Sequence, residues 1–268
     1  MQLSRHYREC LFVMNDYRAI DAVNVHSLML FERSPAHYMY GKTHPNESTP
    51  AKQLGTLIHL AVLELPEYNR RVVVAPAIDK RTKEGKALFS AFNDSLLPDS
   101  LVVTQAQHEI VSDIRTELNK NTYAQILLNS GESEVTLTWT DDDTGLRCKA
   151  RPDWLCNNLD VIVDLKTAND ASAASFAKSA AKYKYHMQAA FYLDALKACG
   201  LGDRAFIHIV TETEPPYGVA LYQLDDDAIE RGRERYKTAM RKLKHCMKTK
   251  DFPSYPMEIQ PLSLPPWC

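Results

Sequence analysis

The chain reads as a mixed α/β domain with one central sheet flanked by helices. Three observations predict it. Helix-period apolar patterns fill the first half. From Glu134 to Lys166 the pattern changes to period two with hairpin chemistry between the runs. Helices then return, followed by two more strands and a long terminal helix. That order, helices, three-stranded meander, helices, two strands, helix, suits one layered α/β unit. With 268 residues, 45% hydrophobic and 25% charged, a single domain over 1–268 has ample material for its core. Its helical part covers about 1–130 and its sheet-bearing part about 131–268.

Taken in order, residues 1–25 carry a weak pattern. Ser27–Tyr40 is expected to be helical, with Ser27 as its cap and Ser34-Pro35 either interrupting it or starting a second short helix. Residues 41–53 read as a loop, and Leu54–Leu65 as a helix buried on most faces and closed by Pro66. Val72–Val74 suits a short edge strand. Arg81–Asn93 and Gln105–Asn119 suit helices, the second capped by Thr104, and Tyr123–Leu128 forms a further short helix. Glu134–Thr140 and Leu146–Asp153 should pair across the Asp141–Gly145 loop, and Leu159–Lys166 should be the third strand. Ser172–Ala180 and Tyr185–Ala198 are expected helices. Ala205–Thr211 and Val219–Leu224 are expected strands around Pro215-Pro216, and Asp225–Lys248 is the terminal helix before a Pro-rich tail.

Composition narrows the function. No apolar run reaches the roughly 18 residues of a membrane span, and Met1–His6 lacks the apolar core of a signal peptide. The six cysteines have no CxxC spacing and read as reduced thiols, so the expected location is cytoplasmic. A net charge of −2 argues against indiscriminate nucleic-acid binding, so any phosphate attraction must be local. The basic run from Arg231 to His245 is one such patch, although a solvated helix face explains it as well.

The residues that carry chemistry centre on Asp153 and on Asp164-Leu165-Lys166, eleven residues further on. Strand alternation puts Asp164 and Lys166 on one face and Leu165 in the core. A turn at Asn157-Asn158 folds Asp153 back beside Asp164. A charge inside the apolar run Val161–Leu165 costs several kcal/mol unless compensated. Lys166 could compensate it as a structural salt bridge, or a divalent cation could do so. His59 is either a core histidine or a ligand, and Gly55 in its helix would allow another backbone to come close. Gln188 and Tyr192, at i and i+4, share one helix face. Thr167, Ser172 and Lys182 are possible phosphate contacts, and Ser27 at a helix start is a possible anion binder. His186 and His208 show no evident partner and read as structural.

Together these residues resemble a known family. Arg151-Pro152-Asp153…Asp164-Leu165-Lys166 resembles the PD-(D/E)xK signature of restriction-endonuclease-like nucleases. Gln188–Tyr192 resembles the QxxxY motif of the branch containing the RecB nuclease domain and lambda-type exonucleases. Leu54–His59 with Glu64 resembles that branch's metal-binding histidine helix. Ser34–Tyr38, Tyr183–Tyr192 and Leu262–Trp267 extend the likeness to the RecE (exonuclease VIII) nuclease domain, from about residue 25 to the C-terminus. The resemblance implies a restriction-endonuclease-like PD-(D/E)xK core. It implies that His59, Asp153, Asp164 and the Leu165 carbonyl bind Mg²⁺ or Mn²⁺, that Lys166 supports the attacking water, and that Gln188 and Tyr192 complete the site. Arg18, near the position of a 5′-phosphate-binding arginine, Arg151, Ser27, Thr167 and Lys182 are the implied DNA contacts. The implied activity is 5′-to-3′ degradation of one strand of linear double-stranded DNA, leaving 3′ tails. The implied partners are a RecT-type single-strand annealing protein and further copies in a ring-like trimer or tetramer, with no membrane. An endonuclease on the same fold, or a non-catalytic DNA-end-binding protein, are the other readings.

Overall fold

The computed structural model describes residues 17–44 and 48–264. The weak pattern of residues 1–16, and Pro265–Trp267 of the tail motif, lie outside them. A single 3₁₀ turn, Tyr17–Ala19, leads to α1 (Val25–Arg33), α2 (Pro35–Thr43), α3 (Pro50–Leu63) and α4 (Leu65–Arg71). The pair β1 (Val72–Val74) and β2 (Leu101–Val103) is parallel and brackets α5 (Lys83–Asp94). Helices α6 (Gln105–Lys120) and α7 (Thr122–Leu128) follow.

The helix starts show where local chemistry overrides the run of apolar residues. Asn24, not Ser27, caps α1. Its side chain accepts the Ser27 N–H at 3.0 Å, and the Ser27 hydroxyl accepts the Asn24 N–H at 3.2 Å in a capping box. Ser34 ends α1 and caps α2, because Pro35 suits the first helical position and cannot continue the preceding turn. Thr49 and Pro50 play the same roles for α3, so the expected loop over 41–53 becomes helical from Pro50.

The main sheet has five strands in the order β3-β6-β7-β8-β9: β3 (Gly131–Ser133), β6 (Trp154–Cys156), β7 (Val161–Ala168), β8 (Ala205–Glu212) and β9 (Val219–Gln223). Only β7 and β8 are parallel, and α8 (Ala173–Lys182) and α9 (Tyr185–Ala198) make the crossover between them. The terminal helix α10 (Asp226–Thr249) starts at the Asp225 cap.

The expected three-stranded meander is corrected. β4 (Leu137–Thr140) and β5 (Arg147–Ala150) form a separate two-stranded sheet, and a parallel bridge joins β5 to Val23 at Cys148. Pro152 cannot donate to a ladder, so the strand stops at Ala150 and pairing resumes at Trp154 as β6. Glu134 has φ 53°, a left-handed residue that separates β3 from β4.

Helices cover both sheet faces. Ile162 faces a core shared with α1, α9 and α10, whereas Val161, Val163 and Leu165 face one shared with α3, α6 and α7. This parity turns Asp164 and Lys166 towards α9 and buries Leu165, as strand alternation requires.

Candidate metal centre

Side chains from several parts of the chain meet where β6 begins, alongside the second half of β7. Asp153 stands just ahead of β6, and its Oδ2 accepts the Leu165 N–H at 2.9 Å, which clips it to β7. His59, on α3, places Nδ1 3.6 Å from the same oxygen. Glu134 is brought in by its left-handed backbone: its N–H donates to the Asp153 carbonyl at 3.0 Å. Its own carbonyl and Oε2 take Arg151 Nε, each at 3.0 Å. His59, Glu134 and Asp153 thus offer one ligand atom each, all within 4.8 Å of one another.

Asp164 lies beneath this cluster, fully buried, and both its oxygens are taken. Oδ2 accepts Lys166 Nζ at 2.7 Å and His208 Nδ1 at 3.1 Å, and Oδ1 accepts Gln188 Nε2 at 3.0 Å. Gln188 Oε1 accepts Lys166 Nζ at 3.2 Å, and the buried Tyr192 lines the same cleft as these two residues. The Lys166 ammonium also lies 4.7 Å from the centre of the Tyr185 ring. The cleft has a volume of about 660 Å³ and opens onto the metal cluster and onto Lys166, Gln188 and Tyr192. Tyr17, Arg18, Asn24, His26 and Arg151 complete its lining. Two larger grooves, about 930 and 990 Å³, run along α10 and contain neither the His59 cluster nor Lys166.

The other predicted residues lie elsewhere or have other duties. Ser27 spends its hydroxyl on the α1 cap, also donating to the Asn24 carbonyl at 2.7 Å. Thr167 and Lys182 are not part of the cleft lining, and Ser172 caps α8. A Cβ on Gly55 would sit 3.8 Å from Thr167 Oγ1, an ordinary contact, so no close backbone approach explains that glycine. His208 is not without a partner, as the sequence suggested, but bonds to Asp164.

Glu134 and His26 line the cleft without having been singled out in sequence. Glu134 sits at the predicted strand's first residue, where nothing local distinguishes it. His26 sits one position before an expected cap.

Burial explains much of the electrostatics. It pushes the Asp153 carboxyl above its ordinary range, and the Asp164 charge adds to that, while His59, Lys166 and the Leu165 N–H oppose it. Burial pushes Asp164 the same way but is outweighed by Lys166 and His208, so Asp164 stays well below the usual carboxylate range. Lys166 stays above its ordinary value because Asp164 and Asp153 overcome burial. Glu134 is pushed up to about 7 by burial and by Asp153, against the pull of Arg151. Burial and the Lys166 charge lower His26.

Two carboxyls that resist ionising, an imidazole beside them and hard oxygen donors in one cleft fit a divalent cation. Such a cation would relieve the repulsion that raises Asp153 and Glu134.

A mixed sheet flanked by helices, with the Asp153 and Asp164-x-Lys166 set at its centre, defines a PD-(D/E)xK-like fold. The chain belongs to the family described as PDDEXK-like domain of unknown function (DUF3799), whose model matches residues 25–263. No curated protein matches it. Among solved structures, it is similar to a candidate exonuclease from Eubacterium rectale. That likeness has a TM-score of 0.65 at 12% identity, covering 94% of this chain and 97% of that one, and it concerns the fold alone. The structure of SSO0001, at 15% identity over 78% of this chain and 84% of that one, has a TM-score of 0.29, which carries no weight.

Proposed function

We propose that the protein is a divalent-metal-dependent exodeoxyribonuclease. It would degrade one strand of linear double-stranded DNA from 5′ to 3′ and leave 3′ single-stranded tails for recombination by strand annealing. The observation that carries the nuclease reading is the His59–Glu134–Asp153 cluster opening into the same cleft as a lysine anchored on a buried carboxylate. The end preference and polarity rest on the resemblance to RecE-type and lambda-type exonucleases, and the Eubacterium rectale relative is described as a candidate exonuclease.

His59, Glu134 and Asp153 would hold Mg²⁺, with Mn²⁺ able to replace it, and the resemblance adds Asp164 and the Leu165 carbonyl. A divalent cation there supplies Lewis-acid polarisation of a phosphoryl oxygen and a hydroxide nucleophile at neutral pH. Lys166 keeps its positive charge beside Asp164 and offsets charge growing on the phosphate. Gln188 ties Lys166 to Asp164, so neither can turn away independently. Arg18 and Arg151 add positive charge along the lining that a phosphate backbone would meet. Cytoplasmic work in a ring-like trimer or tetramer beside a RecT-type annealing protein completes the proposal. A ring would confine phosphate attraction to an inner channel, which suits a net charge of −2.

Linear duplex labelled at either the 5′ or the 3′ end, incubated with and without Mg²⁺ beside a covalently closed circle, tests the reading. The expected result is metal-dependent release of the 5′ label first and an untouched circle. Cleavage of the circle would replace the exonuclease with an endonuclease on the same fold.

A further inference from the structure

His208 occupies β8 directly beside Asp164 in the parallel β7–β8 ladder, and both side chains are sealed from solvent, 0% and 1% exposed. Its Nδ1 lies 3.1 Å from Asp164 Oδ2, the oxygen that also takes the Lys166 ammonium. An ionised carboxylate only accepts, so Nδ1 carries the proton. Nε2 has no hydrogen-bond partner. The rings of Phe176, Tyr185 and Phe206 surround it, with centroids 5.3, 5.6 and 5.1 Å from the imidazole. A proton on Nε2 would be a buried donor without an acceptor, at a cost of about 1–3 kcal/mol. The tautomer is therefore fixed, and the far nitrogen leads nowhere. This imidazole cannot relay a proton. It can only hold Asp164.

A phenylalanine would fill the same aromatic cage without the cost of burying a polar ring. What histidine adds is the bond to Asp164. We propose that His208 is a positioning residue: its Nδ1–H fixes the Asp164 carboxylate so that Oδ2 faces Lys166 and Oδ1 faces Gln188. The Lys166 ammonium is thereby placed at the cleft. For its effect on turnover the inference rests on the nuclease reading above. The placement of Lys166 does not depend on it.

Two variants separate this role from a merely structural one. His208→Phe keeps the packing and removes the donor. His208→Asn keeps an amide donor near the Nδ1 position and leaves a cavity, which lowers stability. For each, three quantities are measured: the thermal midpoint, kcat and KM on linear duplex, and the rate at which an amine-acylating reagent labels Lys166, read by mass spectrometry.

His208→Phe takes a donor from a buried carboxylate and should melt below wild type. It should lose roughly 10–100-fold in kcat, the scale typical of residues that orient a site from behind. Its KM should change little, and Lys166 should be labelled faster. His208→Asn should melt lower but keep most of its kcat and the slow labelling. Activity that follows the melting temperature across both variants, or unchanged Lys166 labelling in His208→Phe, overturns the proposal. If the wild-type protein cleaves no DNA, the nuclease reading fails, while the labelling comparison still decides the role of His208.

Discussion

Glu134 is the residue whose behaviour separates a metal centre from an accidental cluster. Its carboxyl ordinarily loses a proton near 4.5 but holds it up to about 7 here. Between those values the folded state binds the extra proton, so its contribution makes the metal-free protein less stable as pH rises. The penalty is complete above about 7 and amounts to at most about 3 kcal/mol. Glu134→Gln should therefore raise the melting temperature of the metal-free protein at pH 8 and leave it nearly unchanged at pH 4.5. The same variant should weaken Mn²⁺ binding, measured by calorimetry, by more than about tenfold. Wild-type affinity should climb between pH 5 and 7.5 as the cation displaces the proton. A flat affinity across that window would remove Glu134 from the ligand set. At this scale the sequence was informative where chemistry is local. Asp153, Asp164, Lys166 and Gln188 are readable because a strand's alternation and a helix's i, i+4 spacing fix their directions. Glu134 and His208 are not. One enters through a left-handed backbone break that period-two patterning runs straight across, and the other through parallel strand register, which no local signal encodes.

Elements set how accurately those side chains meet. Asn24 and Ser27 fix the start of α1, and that turn carries His26 into the cleft. Asn24→Ala should cost about 1 kcal/mol in chemical denaturation. The contact of α10 with α9 is tighter still: a Cβ on Gly232 would lie 2.1 Å from the His186 carbonyl oxygen. That backbone belongs to the first turn of α9, which also carries Gln188. Gly232→Ala should therefore destabilise by about 1–3 kcal/mol or more, as overpacking does. It should also lower kcat, because α9 must shift. A variant with wild-type stability would show that the helices can part freely. Most helices were legible from their periods, α10 among them, and α6 also from its Thr104 cap. The short strands β3 and β6 were not, since three residues carry no period: β6 forms against β7, and β3 forms against β6.

For the whole molecule, charge is the question. A net charge of −2 must be squared with the polyanionic substrate proposed above, and the basic run of α10 does not resolve it. Arg233 is spent on Asp194, Arg235 on Glu32 and Arg241 on Asp143. That favours the plain reading of this helix face and leaves the cleft as the place where phosphate would be met. A cation held at the His59–Glu134–Asp153 cluster is proposed to power phosphodiester cleavage. The most direct test compares wild-type protein with Asp153→Asn on linear duplex, after EDTA treatment and again after Mg²⁺ is restored. Wild-type cleavage should vanish with EDTA and return with Mg²⁺, whereas Asp153→Asn should fold and stay inactive in both states. Cleavage by Asp153→Asn at the wild-type rate, or cleavage that survives EDTA, would contradict this proposal.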